Sequence, residues 1–255
     1  MTHKLLFLFG GIFFITLVLS YYKETYTNQD IIQILDISYV KAFLLKDTDH
    51  YVKNMSSADL YARHANNHKD YLKRISEDVT TIPLDKQSIL MNSISQANDF
   101  FNNYSDSYIK LGEMNLIPWK LAFTKGYYEN GLPHTRMDII FLPQSILNES
   151  NYSITKTLIH EKVHLHQRKY KMRYQQKLQE ENYKIIGKRI NDYRIRSNPD
   201  VDEYIYYHPN NFIMIETYST LTPKNIQDTQ IVDIDVKYEH PYEEIAYQVA
   251  EKYSV

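Results

Sequence analysis

The stretch from Ile154 to Ile186 contains neither glycine nor proline, and the sequence His160-Glu161-Lys162-Val163-His164 lies near its beginning. Because nothing in it marks a clear end before Gly187, the stretch predicts one long helix or two helices with a soft break. Residues four positions apart lie on the same face of a helix, one turn above the other. His160 and His164 can therefore present two imidazoles to one metal ion.

Glu161 follows the first histidine directly, about 100° around the helix from it. From there its carboxylate can reach a water molecule at the open position of the same ion. A metal ion lowers the pKa of such a water, and a carboxylate can take its proton as the water attacks a carbonyl group. The pattern predicts a metal-dependent hydrolase with Glu161 as the general base. The alternative is a chance match on a surface helix, since the chain has ten histidines.

The third ligand must come from elsewhere in the chain. There is no cysteine, so a transition-metal site must use His, Asp or Glu. His166 points about 120° away from His160 on a helix and is expected to be a partly exposed residue, not a ligand. Glu180 and Glu181 have a suitable spacing, but on a continuous helix Glu180 lies about 24 Å from His164. It could not then share an ion with the histidines.

A better candidate lies in "HPYEEIAYQ", residues 240–248, which contains Pro241-x-Glu243-x-x-Ala246-Tyr247. This pattern resembles the second motif of the glutamate-type zincins (gluzincins), where a helix supplies a glutamate followed three residues later by alanine. The resemblance implies that Glu243 is the third zinc ligand and that Ala246 lets the two helices approach each other. Tyr247 stands where many members have aspartate, so the groups around the ligands are expected to differ.

Two alternatives to this assignment stay open. Glu244 is the rival ligand, rotated by about 100° on the same helix. Both glutamates can instead form an acidic first turn that stabilises the dipole of its own helix. Zinc hydrolases with the longer motif HExxHxxGxxH are excluded, because Gln167 and Tyr170 replace its glycine and its third histidine.

The order of predicted elements indicates one α+β domain over residues 23–255. Helices are predicted at 29–45, 58–76 and 84–103, strands at 119–128 and 134–143, the motif helix from about Ser153, a strand pair around Pro209-Asn210-Asn211, and a last helix with Pro241 in its first turn. The resemblance implies a zincin-like metallopeptidase domain with a helical N-terminal half, a small antiparallel sheet, the HExxH helix and a C-terminal helix that carries the glutamate.

In gluzincins the strand before the motif helix is a sheet edge that pairs with extended substrate. Here that strand would be Met137–Leu142, which offers main-chain donors and acceptors to a peptide. The alternative is an internal strand of the core. The segments PHT, DIIFLP and LIHEKVH also resemble uncharacterised zincin-like proteins of large DNA viruses and microbes.

The segment Leu5–Tyr22 is uncharged, and its 18 residues are just enough for a helix to cross a bilayer. It predicts an uncleaved signal anchor, with Tyr21 and Tyr22 at the membrane interface, or a signal peptide cut after Ser20. Either places residues 23–255 on the non-cytosolic side of a membrane. The protein is then a single-pass membrane protein or is secreted after cleavage.

The leading hypothesis is a zinc-dependent metallopeptidase that acts on a peptide or protein substrate and contacts the membrane through its N-terminus. The chain has 29 basic and 31 acidic residues, so no basic excess points to nucleic acid. The second hypothesis is a catalytically inactive, membrane-anchored structural or interaction protein on the same scaffold. A third is hydrolysis of a non-peptide amide. The intact Glu161 favours an enzyme, because a purely structural zinc site does not need it.

The sequence does not decide which side chain would stabilise the oxyanion of an acyl-transfer reaction. The candidates are His134, Tyr204, His240, Tyr242 and Tyr247.

Overall fold

The computed structural model describes residues 32–232 and 237–254, which form a mixed α+β structure. Its helices are α1 (Ile37–Lys46), α2 (Ser57–Ala62), α3 (His68–Asp78), α4 (Gln87–Asn103), α5 (Asn151–Lys169), α6 (Lys171–Glu180) and α7 (Pro241–Glu251). Its strands are β1 (Ile32–Ile34), β2 (Val79–Thr80), β3 (Trp119–Thr124), β4 (His134–Arg136), β5 (Ile139–Pro143), β6 (Lys184–Lys188), β7 (Tyr204–Tyr207), β8 (Ile213–Met214), β9 (Glu216–Tyr218) and β10 (Thr229–Ile231). The predicted anchor or signal segment Leu5–Tyr22 lies outside the described residues. Within them, none of the helices combines the length and the apolar character that a bilayer span requires.

The central sheet is mixed, with the strand order β1-β3-β5-β4 and with β2 paired to the end of β3. Strands β1, β3 and β5 are parallel, whereas β4 is antiparallel to β5 and β2 is antiparallel to β3. The expectation of a small antiparallel sheet is therefore wrong here. The parallel pairing of β1 and β3 is possible because α1 to α4 form a long crossover between them. The two smaller sheets, β6-β7-β8 and β9-β10, are antiparallel.

The first predicted helix, 29–45, is wrong at its beginning. Ile32–Ile34 form β1, and the helix starts at Ile37. The Asp36 carboxylate caps this helix by accepting a hydrogen bond from the Ser38 N–H at 2.7 Å. The apolar residues of this segment have helical spacing, but pairing with β3 makes Ile32–Ile34 a strand, because strand formation depends more on tertiary context than on local preference.

The second predicted helix, 58–76, is two helices. Ser56 and Asp59 form a capping box at the start of α2. Asn67 caps α3 by accepting a hydrogen bond from the Asp70 N–H at 2.9 Å. His64 takes a left-handed φ of 53° between the two helices. Both cap signals are present in the sequence, and the helical spacing of apolar residues alone does not show them.

The third predicted helix is confirmed as α4, which follows a short 3-10 turn. Its predicted apolar stripe of Leu90, Ile94, Ala97 and Phe101 is completely buried. This stripe belongs to the largest core cluster, which also contains side chains of α5, α7 and the central sheet. The helix α5 therefore lies between α4 and α7.

The predicted strand 134–143 is a hairpin of β4 and β5. Met137 makes the turn between them with a left-handed φ of 53°. Strand β5 lies between β3 and β4. The expectation that Met137–Leu142 forms the substrate-binding sheet edge is therefore wrong, and the alternative of an internal strand is correct. At this side of the sheet the edge strand is β4.

The long stretch without glycine or proline forms two helices. Tyr170, with φ −114° and ψ 33°, separates the end of α5 at Lys169 from the start of α6 at Lys171. The later predictions agree with the structure: β7 and β8 flank the turn at 209–211, and Pro241 is the first residue of α7. Ala246 is completely buried in the core that α7 shares with α5.

Candidate metal centre

The helices α5 and α7 bring the three predicted ligands together. The Nε2 atoms of His160 and His164 are 3.0 Å apart. The Oε2 atom of Glu243 lies 3.3 Å from His160 Nε2 and 3.6 Å from His164 Nε2. A tetrahedral ion with bonds of about 2.0–2.1 Å places its ligand atoms about 3.3 Å apart. The three atoms are therefore spaced like three corners of one coordination sphere.

The donor set fits a transition-metal ion. Within residues 32–232 and 237–254, these three residues are the one group of three or more metal-binding side chains with convergent donor atoms. Two imidazole nitrogens and one carboxylate oxygen are a known ligand set of catalytic zinc, which keeps a fourth position for water or substrate. Imidazole also suits copper, iron and nickel, so the donors do not by themselves select zinc.

A glutamine orients His164. The Oε1 atom of Gln167 lies 2.8 Å from His164 Nδ1 and accepts its proton, which leaves the Nε2 lone pair for a metal. Gln167 Nε2 donates to the Tyr242 main-chain oxygen at 2.8 Å and so links α5 to α7. In the sequence, Gln167 stands out only because it replaces the glycine of the longer zinc motif. Its position three residues after His164 on a helix is the signal that identifies it as a neighbour.

An asparagine orients Glu243. Asn198 Nδ2 donates to Glu243 Oε1 at 2.8 Å and to Glu239 Oε1 at 3.0 Å. This contact leaves Glu243 Oε2 directed at the histidines. Burial raises the pKa of Glu243, but His164 and His160 outweigh burial and hold this pKa well below its usual value. Asn198 lies in a loop far away in sequence, and no motif marks it.

The rival ligand, Glu244, has other partners. The Tyr183 hydroxyl donates to Glu244 Oε2 at 3.0 Å, and His208 Nε2 lies 3.6 Å from the same oxygen. Glu244 is not part of the three-residue group. The structure therefore places Glu243, and not Glu244, beside the two histidines.

Tyr247, the departure from the gluzincin pattern, changes the surroundings of His160. Its ring packs against the His160 ring with centroids 4.4 Å apart and an angle of 60° between planes. Tyr238 stacks on Tyr247 at 5.1 Å. The buried His160 Nδ1 has no hydrogen-bond partner among the described residues. His160 is thus oriented by aromatic packing, whereas metal-binding histidines usually donate this proton to a carboxylate or carbonyl.

The predicted general base is buried beside the ligands. Glu161 is 3% exposed, and its Oε2 atom has no partner within the part of the chain that the structure describes. Burial raises the pKa of Glu161 well above its usual value, and the nearby Asp200 carboxylate raises it further. A carboxylate with a raised pKa is a stronger base, as proton transfer from a metal-bound water requires.

His160, Glu161 and Glu243 line a cleft of 710 Å³. This volume suits a small molecule or a few residues of a peptide. His134 and Tyr247 are the oxyanion candidates that also line it. His134 Nδ1 lies 2.9 Å from the Leu132 carbonyl oxygen, and its buried Nε2 is unpartnered among residues 32–232 and 237–254.

The other oxyanion candidates are not among the residues that line the cleft. His240 is the N-cap of α7, because its Nδ1 accepts the Tyr242 N–H at 3.0 Å. His240 Nε2 lies 3.1 Å from Asp202 Oδ1. Tyr204 lies in β7, and Tyr242 is buried in the core between α5 and α7.

His166 is not part of the three-residue group, and its predicted partial exposure is wrong. The residue is completely buried. Its Nδ1 lies 2.9 Å from the Tyr174 hydroxyl, and its Nε2 lies 3.2 Å from Glu113 Oε2. Burial lowers the pKa of His166 to about 4. Two neighbours cover this face of α5: Tyr174 of α6, which follows the break at Tyr170, and the loop that carries Glu113, to which Arg173 of α6 also donates.

Side chains close the outer edge of β4 at Thr135. The Thr135 N–H donates to Asp200 Oδ1 at 2.6 Å, and the Thr135 carbonyl accepts from Arg168 Nη2 at 3.2 Å. Arg168 also donates to the Pro199 carbonyl at 2.6 Å. A substrate strand therefore finds no free main-chain group at Thr135, and strand addition at this position would have to displace Asp200 and Arg168.

Comparisons of the chain with protein-family models, with curated proteins and with solved structures found no match. Support for a function therefore comes from two sources. One is the geometry of the three convergent donors and of Glu161. The other is the pair of short motifs that carry the resemblance to gluzincins.

Proposed function

We propose that the protein is a zinc-dependent metallopeptidase with a zincin-like domain, in which His160, His164 and Glu243 hold Zn²⁺ and Glu161 is the general base. The observation that carries this proposal is the spacing of 3.0–3.6 Å between three donor atoms from α5 and α7. A chance HExxH match on a surface helix has no reason to meet a distant carboxylate at this spacing. A purely structural site has no need of Glu161 beside the ligands.

In this proposal, the residues around the metal site have separate catalytic and orienting roles. Zinc, when bound, supplies a water of lowered pKa and polarises the substrate carbonyl. Glu161 takes the proton of the attacking water and passes it to the leaving amine. Gln167 and Asn198 hold His164 and Glu243 in the orientation that binding requires. We also propose that Leu5–Tyr22 anchors or exports the domain to the non-cytosolic side.

The closed edge of β4 favours a second candidate function, the hydrolysis of a non-peptide amide. An extended peptide gains much of its affinity from main-chain pairing with an edge strand, and Thr135 offers none. A compact amide needs only the metal, Glu161 and the side chains of the cleft. If the protein binds zinc but hydrolyses no substrate, the hypothesis of a catalytically inactive scaffold protein is favoured instead.

The test is bound zinc in the purified full-length protein, compared with Glu243→Ala, Glu161→Ala and the neighbouring control Glu244→Ala. We expect near-stoichiometric zinc in the wild type, in Glu161→Ala and in Glu244→Ala, and strong loss in Glu243→Ala. Hydrolysis of a peptide and acyl-amide library should disappear in Glu161→Ala although zinc is retained. A folded wild type that takes up no zinc at neutral pH would exclude the enzyme.

A further inference from the structure

The surface of α5 that carries the histidines continues beyond them into the cleft. Four-residue spacing places five side chains in one row along this helix: Tyr152, Lys156, His160, His164 and Arg168. Neighbours in the row are about 6 Å apart along the axis. Arg168 is held at the β4 edge, the histidines form the metal centre, and Lys156 and Tyr152 line the cleft on the other side.

We propose that Lys156 selects amide substrates that carry a carboxylate group close to the scissile bond. This inference rests on the proposed function, because it places the scissile amide at the metal centre. It adds the charge of the preferred substrate and the residue that recognises it.

The arginines at the cleft are already engaged by carboxylates. Four carboxylates line the cleft besides Glu161 and the ligand Glu243, and the closest contacts to their cationic partners run from 2.5 to 3.9 Å. The pairs are Glu129 with Arg63, Glu216 and Glu239 with Arg196, and Asp200 with Arg168. Because Arg196 serves two of the four carboxylates, none of these arginines offers a free positive charge to an anionic substrate.

Lys156 differs from these groups. It is partly buried, and it makes no ion pair or side-chain hydrogen bond with any residue in the ranges 32–232 and 237–254. The other lysine of the cleft, Lys237, has Glu251 at 4.0 Å. A cation that has no partner in the described part of the chain, one helical turn from the candidate metal centre, can attract an anionic group of the substrate.

The surroundings of Lys156 strengthen this attraction. Tyr152, one helical turn before Lys156, and Tyr247, whose ring packs on His160, also line the cleft and are 41% and 44% exposed. Aromatic walls exclude water from a bound ligand, and a lower local dielectric increases the energy of an ion pair. Phenolic hydroxyls can also donate hydrogen bonds to a carboxylate. Together they form a place for a carboxylate with a short apolar stem.

The distances define the position of the carboxylate. An extended chain advances about 3.3 Å per residue, so about 6 Å along α5 corresponds to about two residues. A succinyl-type acyl group or an acidic side chain next to the scissile bond can span this distance. The main-chain groups of Thr135 are occupied by Asp200 and Arg168 and cannot orient a substrate. An ion pair with Lys156 would therefore also set the direction in which the substrate lies.

The test uses three hydroxamates of similar length, because a hydroxamate binds zinc without being hydrolysed. They are the succinic monohydroxamate with a terminal carboxylate, butyrohydroxamate without charge, and 4-aminobutyrohydroxamate with an amine. Dissociation constants are measured calorimetrically on the zinc-loaded full-length protein. We expect the carboxylate probe to bind at least about tenfold more tightly than the neutral one, about 1.4 kcal/mol.

Two variants and a control complete the experiment. Lys156→Gln should abolish the preference for the carboxylate probe, and Lys156→Glu should transfer it to the amine probe. Lys110→Glu makes the same charge change at an exposed residue that does not line the cleft, and it should keep the wild-type preference. Circular dichroism checks that each variant is folded.

The outcomes separate this inference from the proposed function. If all three probes bind the wild type equally through zinc, the role of Lys156 is refuted and the metal centre stands. The same holds if Lys156→Gln keeps the preference. If the folded wild type binds neither zinc nor the neutral hydroxamate, the proposed function fails, and this inference fails with it.

Discussion

The cluster around Arg63 and the cluster around His164 are both buried and charged, but they differ in how their polar atoms are satisfied. Arg63 donates to Glu129 at 3.0 and 2.5 Å, to the Tyr218 hydroxyl at 3.1 Å and to the Ser197 carbonyl at 3.1 Å. Asp59 receives the Ser197 N–H at 2.8 Å. Within the described chain, no side-chain polar atom of Arg63, Asp59 or Glu129 is buried without a partner. This cluster is complete by itself.

The metal centre is not complete. His160 Nδ1 and Glu161 Oε2 are buried without partners in the described ranges, and two histidine nitrogens face each other at 3.0 Å. Buried polar atoms are nearly always hydrogen-bonded, so such exceptions need an explanation. The Arg63 cluster satisfies its charges within the chain. At the candidate metal centre, the proposed ion and its bound water would engage the facing histidine nitrogens and Glu161. The two clusters therefore differ in whether their polar atoms are satisfied by the described chain alone.

The largest expected effect comes from breaking the complete cluster. Arg63→Met leaves the Glu129 carboxylate buried without its cation and leaves Asp59 with only Arg189 at 3.8 Å among the described residues, so the free energy of unfolding should fall by about 3–5 kcal/mol. Glu243→Gln in the metal-free protein should lower it less, because His164 can become neutral near pH 7 at little cost once the carboxylate is gone. Urea denaturation of both metal-free variants measures the contrast. Equal losses would remove the distinction between the two clusters.

The groups that orient the ligands should have the next largest effect. Gln167→Leu and Asn198→Leu each remove a contact that holds a ligand, and we expect zinc affinity to fall about 10–100-fold. Competition with a chelator of known affinity measures this change. Gln176→Leu on α6 is the control, because Gln176 is exposed and, within the described chain, its side chain bonds only to Glu180. Zinc affinity that is unchanged in both ligand-shell variants would contradict the assigned orientation roles.

Lys162 provides a third kind of buried charge, with neither an ion-pair network nor a metal. It is completely buried, its Nζ has no hydrogen-bond partner in the described chain, and it lies 3.7 Å from the centroid of the Trp119 ring. We expect Lys162→Met to increase the free energy of unfolding by about 1–3 kcal/mol. Lys169→Met, at the exposed end of α5, should have little effect.

The Lys162 effect should depend on pH. Burial lowers the pKa of Lys162 well below its usual value, so the unfolded chain binds this proton more strongly than the folded chain. The advantage of Lys162→Met should therefore be larger at pH 7 than near pH 10, where the lysine of the unfolded chain also loses its proton. Denaturation curves at the two pH values test this sign.

Measured over a single pH unit, the smallest effect is the pH dependence of zinc binding. Burial alone lowers the pKa of His164, but Glu243 and Asp200 outweigh it and raise the pKa to about 9 in the metal-free protein. Zinc must displace this proton, so zinc affinity should rise by up to about tenfold per pH unit towards pH 9 and then level off. In the metal-free protein, the raised pKa stabilises the fold below about pH 6.5. That contribution is lost as the pH rises to about 9.

The three convergent residues were predictable because their signals are local or carried by a motif. His160 and His164 follow from four-residue spacing on a helix, and Glu243 follows from the resemblance of its segment to a second motif. Gln167 could have been found by the same local geometry, since it lies three residues after His164. Asn198 could not, because only the folded loop brings it to Glu243.

The fold was predictable where the apolar spacing is regular and long, as in α4. It was not predictable where pairing between distant segments decides. Ile32–Ile34 become a strand only by pairing with Trp119–Leu121. The turn at Met137 requires a left-handed φ, which a methionine in the sequence does not predict. These two positions account for the mixed sheet and for the internal place of β5.

The closed edge of β4 also bears on how copies of this protein behave towards each other. An open strand edge is a template on which a second molecule can add a strand, and many proteins protect such edges to avoid aggregation. At Thr135, a carboxylate and a guanidinium of the same chain occupy the groups that a neighbour would need. The cleft can therefore stay open to solvent without offering a second copy of the protein a strand-pairing site at Thr135.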